Sequence, residues 1–334
     1  MNARELRDLL AAVPAPVVKE TTGVADGIAA SASYLASDGA VASIEDDPYW
    51  PKWDSPWWHM LALFEVGEAR RIPARAVDAM VAGLDRYELK TFPIRPEDVP
   101  PGADPYRDSL CHCALGCMWQ VLEACGVDVA ARLPWCAAWF PAYQMADGGL
   151  NCDGDAYLVA GECPSSMVGT IAPFEAMIEA RTDELRAFRD AAARFLVGRE
   201  LRLGSATVHN AAERDSAQRW PQLCFPRFYF YDTLRGLAAL VRWGRPFPLA
   251  AVARVATDLA RAFPDGVAVA GRRGTDGWTT MQHRPEGWVR GQPATRFPLL
   301  DAASEVGRPS PALTRQWTAT RHRLVELLDA GIVA

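Results

Sequence analysis

The stretch Tyr229–Val252, YFYDTLRGLAALVRWGRPFPLAAV, contains an apolar helical run, then Gly244, then a linker with two prolines, and finally the start of a second helical run. A glycine placed just past a helix end adopts the left-handed conformation at no steric cost. Proline opens the following helix because its missing N–H is not needed there. The stretch therefore predicts a helical hairpin.

The same order of features recurs along the chain. A glycine follows an apolar run, and a second helical run comes after a short linker, in Trp57–Val77, His112–Trp135 and Phe297–Trp317. A fifth hairpin, Cys163–Ala180 followed by Asp183–Leu201, lacks the glycine. Repetition of one supersecondary unit is typical of folds in which neighbouring units bury a continuous core.

The two helices of each hairpin differ in their apolar pattern. The first is apolar on nearly all sides, as in Met60–Val66, whereas the second is amphipathic, as in Leu185–Leu196. A helix that is apolar all round is buried, and an amphipathic helix faces water on one side. We therefore predict an all-α protein, an α/α toroid of about five to six helical hairpins with an inner and an outer ring of helices.

The domain organisation follows from the hairpins. Residues 46–334 are predicted to form the toroid domain. Residues 1–45 are predicted to form an N-terminal helical segment that packs on the ring, with helices at Ala3–Val13 and Ala25–Ala36. No stretch has the pattern of a β-sheet. Val267–Ala270 is a candidate for one short strand, and Gly271–Pro298 is expected to be a long, partly ordered loop.

The composition restricts the class of protein. The 334-residue chain has a net charge of −6 and no basic stripe, so we expect no nucleic-acid partner. No apolar run approaches the roughly 20 residues of a membrane-spanning helix, so we expect no transmembrane segment. The N-terminus lacks the apolar core of a signal peptide. The eight cysteines are therefore expected to be reduced thiols in a cytoplasmic protein.

The segment Trp139–Asn151, WFPAYQMADGGLN, resembles the repeat of the prenyltransferase and squalene-cyclase superfamily. In that repeat a glutamine follows an outer helix, and an acidic, glycine-rich turn with an aromatic residue leads to the next inner helix. Gln144 and Asp147–Gly149 match these positions, and Leu150 replaces the aromatic residue. Asp276–Trp278 is a second, partial match.

The resemblance implies an α/α toroid with an apolar central cavity and a terpenoid cyclase- or prenyltransferase-like enzyme. The substrate it implies is a hydrophobic small molecule or a peptide, and a partner subunit is compatible with it. The acidic motifs of the cyclases, DxDD and DDxxD, are absent, as is the Asp-x-Cys pair of the zinc-binding prenyltransferase subunits. The resemblance therefore does not define the reaction.

Four residues form the predicted metal site: Cys152, Cys163, His209 and Cys224. They lie in turns or just before predicted inner helices, and parallel inner helices would bring their starts to one mouth of the ring. Thiolate and imidazole are the ligands that zinc prefers, so zinc is the expected cofactor. The alternative is that these cysteines are core residues or isolated reactive thiols.

Two carboxylates are candidate catalytic acids. Asp153 lies in the glycine-rich turn, and Asp232 lies among aromatic residues of a predicted inner helix. A carboxyl group in apolar surroundings has a raised pKa and can act as a general acid. The alternative role for an aspartate in such a position is to cap a turn or a helix.

Aromatic residues are the candidate substrate-binding groups, namely Trp57, Trp58, Phe228, Tyr229 and Tyr231. Aromatic faces can stabilise cations or contact an isoprenoid chain. Packing of the core is the alternative explanation.

Three functional hypotheses remain open on the sequence. The first is the isoprenoid cyclase or transferase, and the second is a Cys/His metalloenzyme on the same scaffold with a non-isoprenoid substrate. The third is a non-catalytic toroid that binds a lipid or a peptide. We favour an enzyme.

Overall fold

A computed structural model describes residues 1–334 and shows a helix-rich protein with one small antiparallel sheet. The strands are β1 (Thr279–Arg284) and β2 (Gly287–Pro293). The helices are α1 (Ala3–Ala12), α2 (Thr22–Leu35), α3 (Asp38–Asp46), α4 (Trp57–Glu65), α5 (Ala74–Arg86), α6 (His112–Ala124), α7 (Val129–Arg132), α8 (Pro134–Ala142), α9 (Met167–Ala176), α10 (Asp183–Gly198), α11 (Ala212–Ala217), α12 (Thr233–Trp243), α13 (Ala250–Ala262), α14 (Pro298–Ala303) and α15 (Pro311–Asp329).

Helices lie on both sides of every predicted hairpin turn. The pairs are α4 with α5, α6 with α7 and α8, α9 with α10, α12 with α13, and α14 with α15. Gly244 ends α12 in the left-handed conformation, with φ of 65°, and Gly67, Gly126 and Gly307 also have positive φ. The glycine stops at Gly67, Gly126 and Gly244 are therefore confirmed, whereas α14 already ends at Ala303 and Gly307 lies in the turn beyond it.

One first helix begins later than the sequence pattern predicts. The apolar run of the fourth hairpin includes Tyr229–Tyr231, but Phe225–Tyr231 is not helical and α12 begins at Thr233. Asp232 caps it by accepting a hydrogen bond from the Arg235 N–H at 2.8 Å. Because aspartate is a strong N-cap, the helix starts behind it and the aromatic residues before it form a loop.

The sequence missed the sheet, which lies in the stretch expected to be a loop. Strands β1 and β2 pair with His283 opposite Trp288. Trp288 anchors the hairpin, since its indole N–H donates to Asp104 at 2.7 Å and its ring lies 4.6 Å from that of Trp50. Long-range contacts therefore decide this structure. Val269 and Ala270 of the predicted strand form only isolated bridges.

The N-terminal segment is part of the packed structure. It has three helices instead of the two predicted, and α3 extends past residue 45 to Asp46. Helix α1 packs on α13 and α15, α2 on α4 and α14, and α3 on α5. The side chains of Leu6, Leu10 and Leu35 are fully buried in the common core.

The first helices of the first four hairpins contact one another in chain order, since α4 packs on α6, α6 on α9 and α9 on α12. In the fifth hairpin the second helix, α15, packs on α12, and the first helix, α14, packs on α4. The approach of α6 to α9 is very close, because a Cβ on Gly116 would lie 2.5 Å from the backbone nitrogen of Pro173. No helix combines the length and the apolar character that crossing a bilayer requires.

Replacing Gly116 by alanine should destabilise the protein by about 1–3 kcal/mol, because the added methyl group must push α6 away from the backbone of α9. Gly198→Ala is the matched control, since a Cβ there meets no atom within 4 Å and alanine is the better helix former. Thermal or chemical denaturation measures both. Equal stability of the two variants would contradict the close α6–α9 contact.

Candidate metal centre

Three cysteine thiols meet at the start of α6. The Sγ of Cys113 lies 3.1 Å from that of Cys111 and 3.5 Å from that of Cys152. All three sulphur atoms lie within 4.8 Å of one another, and no other cysteine, histidine or carboxylate joins the group. Cys113 is buried, whereas Cys111 and Cys152 are partly exposed. This three-thiol group could bind a metal ion.

His112 lies between the two cysteines of α6 in the sequence and is buried. Its Nδ1 accepts a hydrogen bond from the Trp139 indole N–H at 2.7 Å, and its Nε2 lies 3.0 Å from the Tyr157 hydroxyl. Burial lowers the pKa of His112 to about 4, so the imidazole is neutral. Both ring nitrogens of His112 have hydrogen-bond partners in the core. His112 is therefore not free to bind a metal ion, and it anchors the start of α6 that carries Cys111 and Cys113.

The glycine-rich turn positions Cys152. Gly148 has φ of 93°, and a Cβ there would lie 2.2 Å from the Ala191 carbonyl oxygen, so only glycine fits. The turn is tied to the start of α9, because the side-chain amide of Asn151 donates to the Pro164 carbonyl at 2.5 Å. The segment that resembles the family repeat therefore delivers Cys152 to the thiols of α6.

The thiols differ in their acidity. Hydrogen bonds from Cys113 and Cys152 hold the pKa of Cys111 well below its usual value, and the backbone N–H of Ala114 and the charge of Lys52 act in the same direction. The pKa values of Cys113 and Cys152 are raised, first by their hydrogen bonds with Cys111. Without a metal, we therefore expect Cys111 to be a thiolate that accepts hydrogen bonds from two protonated thiols. A bound metal ion would require the other two thiols to lose their protons as well.

Of the four predicted ligands, the structure brings only Cys152 into the three-thiol group. Cys163 lies 3.9 Å from the Ser165 hydroxyl, His209 contacts Asp153, and the Sγ of Cys224 is buried 3.9 Å from Asp232. Sequence reasoning left out Cys111 and Cys113. The signal that identifies them is a Cys-x-Cys pair at a helix start.

The two candidate acids hold local structure together. Asp153 accepts from the Asp155 N–H and lies 2.8 Å from the Nε2 of His209, with half of its side chain exposed. Asp232 is fully buried and accepts from the Arg227 Nε at 2.6 Å as well as capping α12. A catalytic role for either residue stays a prediction.

A buried set of charges holds the loop Phe225–Tyr231. The carboxylate of Glu65 accepts the N–H of Arg227 at 2.6 Å and the N–H of Phe228. The Arg235 guanidinium forms an ion pair with Glu175 at 2.6 Å and donates to the Phe228 carbonyl at 2.8 Å. Both backbone polar groups of Phe228 are thus held by charged side chains, in a residue whose φ of 54° is unusual for a residue with a Cβ.

The same charges surround the point where the first helices meet. A cavity of about 210 Å³ lies there, and its polar lining residues include Glu65, Gln120, Glu175, Arg235 and Gln316, from five different helices. Burial raises the pKa of Glu65 to about 7, against the pull of the two arginines. This central cavity is small and charged.

A larger cavity, of about 950 Å³, lies between the Phe225–Tyr231 loop and the β-hairpin. Among the predicted aromatic residues, Tyr229 and Tyr231 line it, whereas Trp57, Trp58 and Phe228 are buried in the core. Trp58 and Phe228 pack behind the wall of the cavity, with ring centroids 5.4 and 5.2 Å from that of Trp278. Trp53 and Trp278, which are outside the predicted substrate-binding set, stack in its wall with ring centroids 3.7 Å apart. We call it the aromatic cavity.

Two residues that line the aromatic cavity interact electrostatically with the three-thiol group. Tyr229 lines the cavity, and its pKa is raised well above the usual value first by burial and next by negative charge on Cys113 and Cys111. Lys52 also lines the cavity, and its ammonium contributes to lowering the pKa of Cys111. A molecule in the aromatic cavity would therefore share two neighbours with the thiols.

Comparison of the chain with protein-family models, with curated proteins and with solved structures finds no match.

Glu65→Gln should change the pH dependence of stability. The carboxyl of Glu65 keeps its proton to about pH 7 in the folded chain and to about 4.5 when unfolded. Its stabilising contribution is therefore present below pH 4.5 and is lost as the pH rises to about 7. Across this window the wild type should lose stability relative to Glu65→Gln, by on the order of 1–3 kcal/mol. Denaturation at a series of pH values measures the difference.

The control is Glu68→Gln, which removes a partly exposed carboxylate one turn away. Its stability should follow the wild type across the same pH window. Parallel curves for wild type and Glu65→Gln would show that Glu65 does not titrate there.

Proposed function

We propose that this chain is an enzyme built around a zinc ion bound by Cys111, Cys113 and Cys152. The observation that supports it is the convergence of three sulphur atoms from two distant segments. In a tetrahedral zinc site with Zn–S bonds of about 2.3 Å, the sulphur atoms lie about 3.8 Å apart. The two shorter separations in the structure, 3.1 and 3.5 Å, need to open by less than about 1 Å to reach this geometry.

The donor set favours zinc and a catalytic role. Thiolates are soft ligands that exclude magnesium and calcium. Three protein ligands leave the fourth tetrahedral position for a small molecule, which is the pattern of catalytic zinc sites, whereas structural sites have four. A zinc ion bound there would polarise a carbonyl or phosphoryl oxygen, or hold a water or thiol in its deprotonated form.

The chain's own residues complete the proposed site. Lys52 offers a positive charge beside Cys111, and Tyr229 offers a phenol that stays protonated because its pKa is raised. Both line the aromatic cavity, which is large enough to hold a small-molecule substrate. His112 is a positioning residue, because it acts only through the cysteines next to it.

The scaffold that we propose is the α/α toroid. The succession of contacts from α4 through α6 and α9 to α12 supports it, because four of the five first helices are neighbours in chain order, as in a ring of inner helices. The eight unpaired thiols fit a reducing compartment, and we place the protein in the cytoplasm.

The isoprenoid cyclase or transferase is the second candidate. One observation favours it, the stacked Trp53 and Trp278 with Tyr229 in the wall of the aromatic cavity. The charged lining of the central cavity favours the zinc enzyme over it, since an isoprenoid needs apolar walls. Native mass spectrometry of the purified protein separates the two, because a retained lipid would support the second candidate.

Metal analysis tests the proposal. Protein purified, loaded with zinc and dialysed should hold about one ion per chain, and Cys113→Ser should lose it, because a serine hydroxyl is a poor ligand for zinc. Cobalt substitution gives an independent readout, since thiolate ligation produces intense absorption that Cys113→Ser should abolish.

Cys163→Ser is the matched control, because it removes a partly exposed thiol that lies outside the three-thiol group. It should keep the zinc. Loss of zinc in Cys163→Ser but not in Cys113→Ser would favour the ligand set predicted from the sequence. Absence of zinc from the wild type after loading would contradict the proposed function.

A further inference from the structure

The aromatic cavity concentrates positive charge. Its lining includes five cationic side chains, Lys52, Arg219, Arg272, Arg273 and Arg290. The only carboxylate in the lining is that of Asp276. The chain as a whole carries a net charge of −6, so this is a local reversal of sign. A cavity lined by one sign of charge raises the local concentration of ligands of the opposite sign.

None of these five cations takes part in an ion pair, although seventeen ion pairs occur elsewhere in the chain. Three are oriented by neutral groups. Arg272 donates to the Tyr231 carbonyl at 2.9 Å, Arg273 donates to the Ser304 carbonyl at 3.2 Å, and Lys52 donates to the Tyr106 hydroxyl at 2.8 Å. Carbonyl and hydroxyl oxygens hold these groups in place without neutralising their charge, which remains available to a ligand.

The remaining two cations are free. The side chains of Arg219 and Arg290 are exposed and make no hydrogen bond within the chain. Arg290 comes from β2 and Arg219 from the segment after α11, so the two approach the cavity from different elements. Guanidinium groups bind carboxylates, sulphonates and phosphates through paired hydrogen bonds and also stack on flat rings.

The aromatic residues of the cavity indicate the chemistry of the uncharged part of the ligand. Trp53 and Trp278 stack at 3.7 Å, and Tyr229 lies 5.5 Å from Trp53 by ring centroids. Flat, rigid faces of this kind favour offset or edge contacts with another ring. The volume, about 950 Å³, is at the upper end of the range for pockets that hold small molecules.

We propose that the aromatic cavity binds an organic anion whose body is a flat aromatic ring system and whose charged group is held by Arg219 and Arg290. The assignment of this anion as the substrate of the zinc centre rests on the proposed function. The binding itself does not, because no cysteine lines the cavity.

A matched pair of fluorescent probes tests the charge requirement. 1-Anilinonaphthalene-8-sulphonate is a flat aromatic anion, and N-phenyl-1-naphthylamine is the same ring system without the sulphonate. The anion should bind the wild-type protein at least about tenfold more tightly than the neutral probe, and added salt should reduce this preference. Equal affinities, or an affinity that salt does not change, would overturn the proposal.

Variants locate the bound probe. The double variant Arg219→Gln, Arg290→Gln should weaken binding of the anion by about five- to tenfold and leave the neutral probe unaffected, since it removes two charges. Trp278→Leu should weaken both probes. Arg70→Gln is the control for net charge, because Arg70 is exposed, unpaired and outside the cavity. An equal loss in Arg70→Gln and in the double variant would overturn the proposal.

The proposal of the zinc centre and that of the anion site can each be contradicted independently of the other. Cys113→Ser should lose zinc but keep its preference for the anionic probe, as measured by the same titration. If the wild type holds no zinc yet shows the probe preference and its loss in the double variant, the proposed function fails and the anion site stands. If zinc binds and the preference is absent, the anion site fails alone.

Discussion

The ion pair between Arg235 and Glu175 is the interaction on which the centre of the molecule depends. It joins α12 to α9, and the same guanidinium holds the carbonyls of Phe228 and Phe230. Glu65 at the end of α4 holds the N–H groups of the same loop. Removing one partner of a buried pair costs about 3–5 kcal/mol, because the other charge is left without compensation. Three first helices and one loop therefore share a single set of charges.

That set of charges positions the groups that surround the candidate site. The Phe225–Tyr231 loop is held in a conformation with positive φ at Phe228, and Tyr229 is thereby placed in the wall of the aromatic cavity, where burial and then the charge of the three-thiol group raise its pKa. The β-hairpin closes the other side of the cavity, anchored through Trp288 on Asp104. Site and cavity thus depend on contacts between elements far apart in the chain, and rigid support of this kind is what a binding site requires.

Capping and turn chemistry could be read from the sequence only where the relevant residues are neighbours. Three of the four predicted glycine stops, Gly67, Gly126 and Gly244, follow a helix end with positive φ, since the conformation of a helix end depends on a few adjacent residues. The start of α12 was misplaced because aromatic residues are dense through Phe225–Tyr231, and apolar character alone does not distinguish a buried loop from a buried helix. The β-hairpin was not predicted because its sequence is rich in Gly, Arg and Thr. Its formation depends on a long-range contact, that of Trp288 with Trp50.

The sequence by itself determined the helical hairpins, their glycine turns and the presence of cysteines near helix starts, because hydrophobic periodicity and backbone capping act over a few residues. Only the tertiary structure decided which thiols meet. Cys152 lies 39 residues from Cys113, and it reaches that residue because Asn151 is tied to Pro164 and His112 is anchored on Trp139. The tertiary structure also decided that five unpaired cations line one cavity, because no local sequence pattern predicts which distant side chains will line the same cavity. Contacts over such distances depend on the packing of the whole chain, and that is where the chemistry of this protein is assembled.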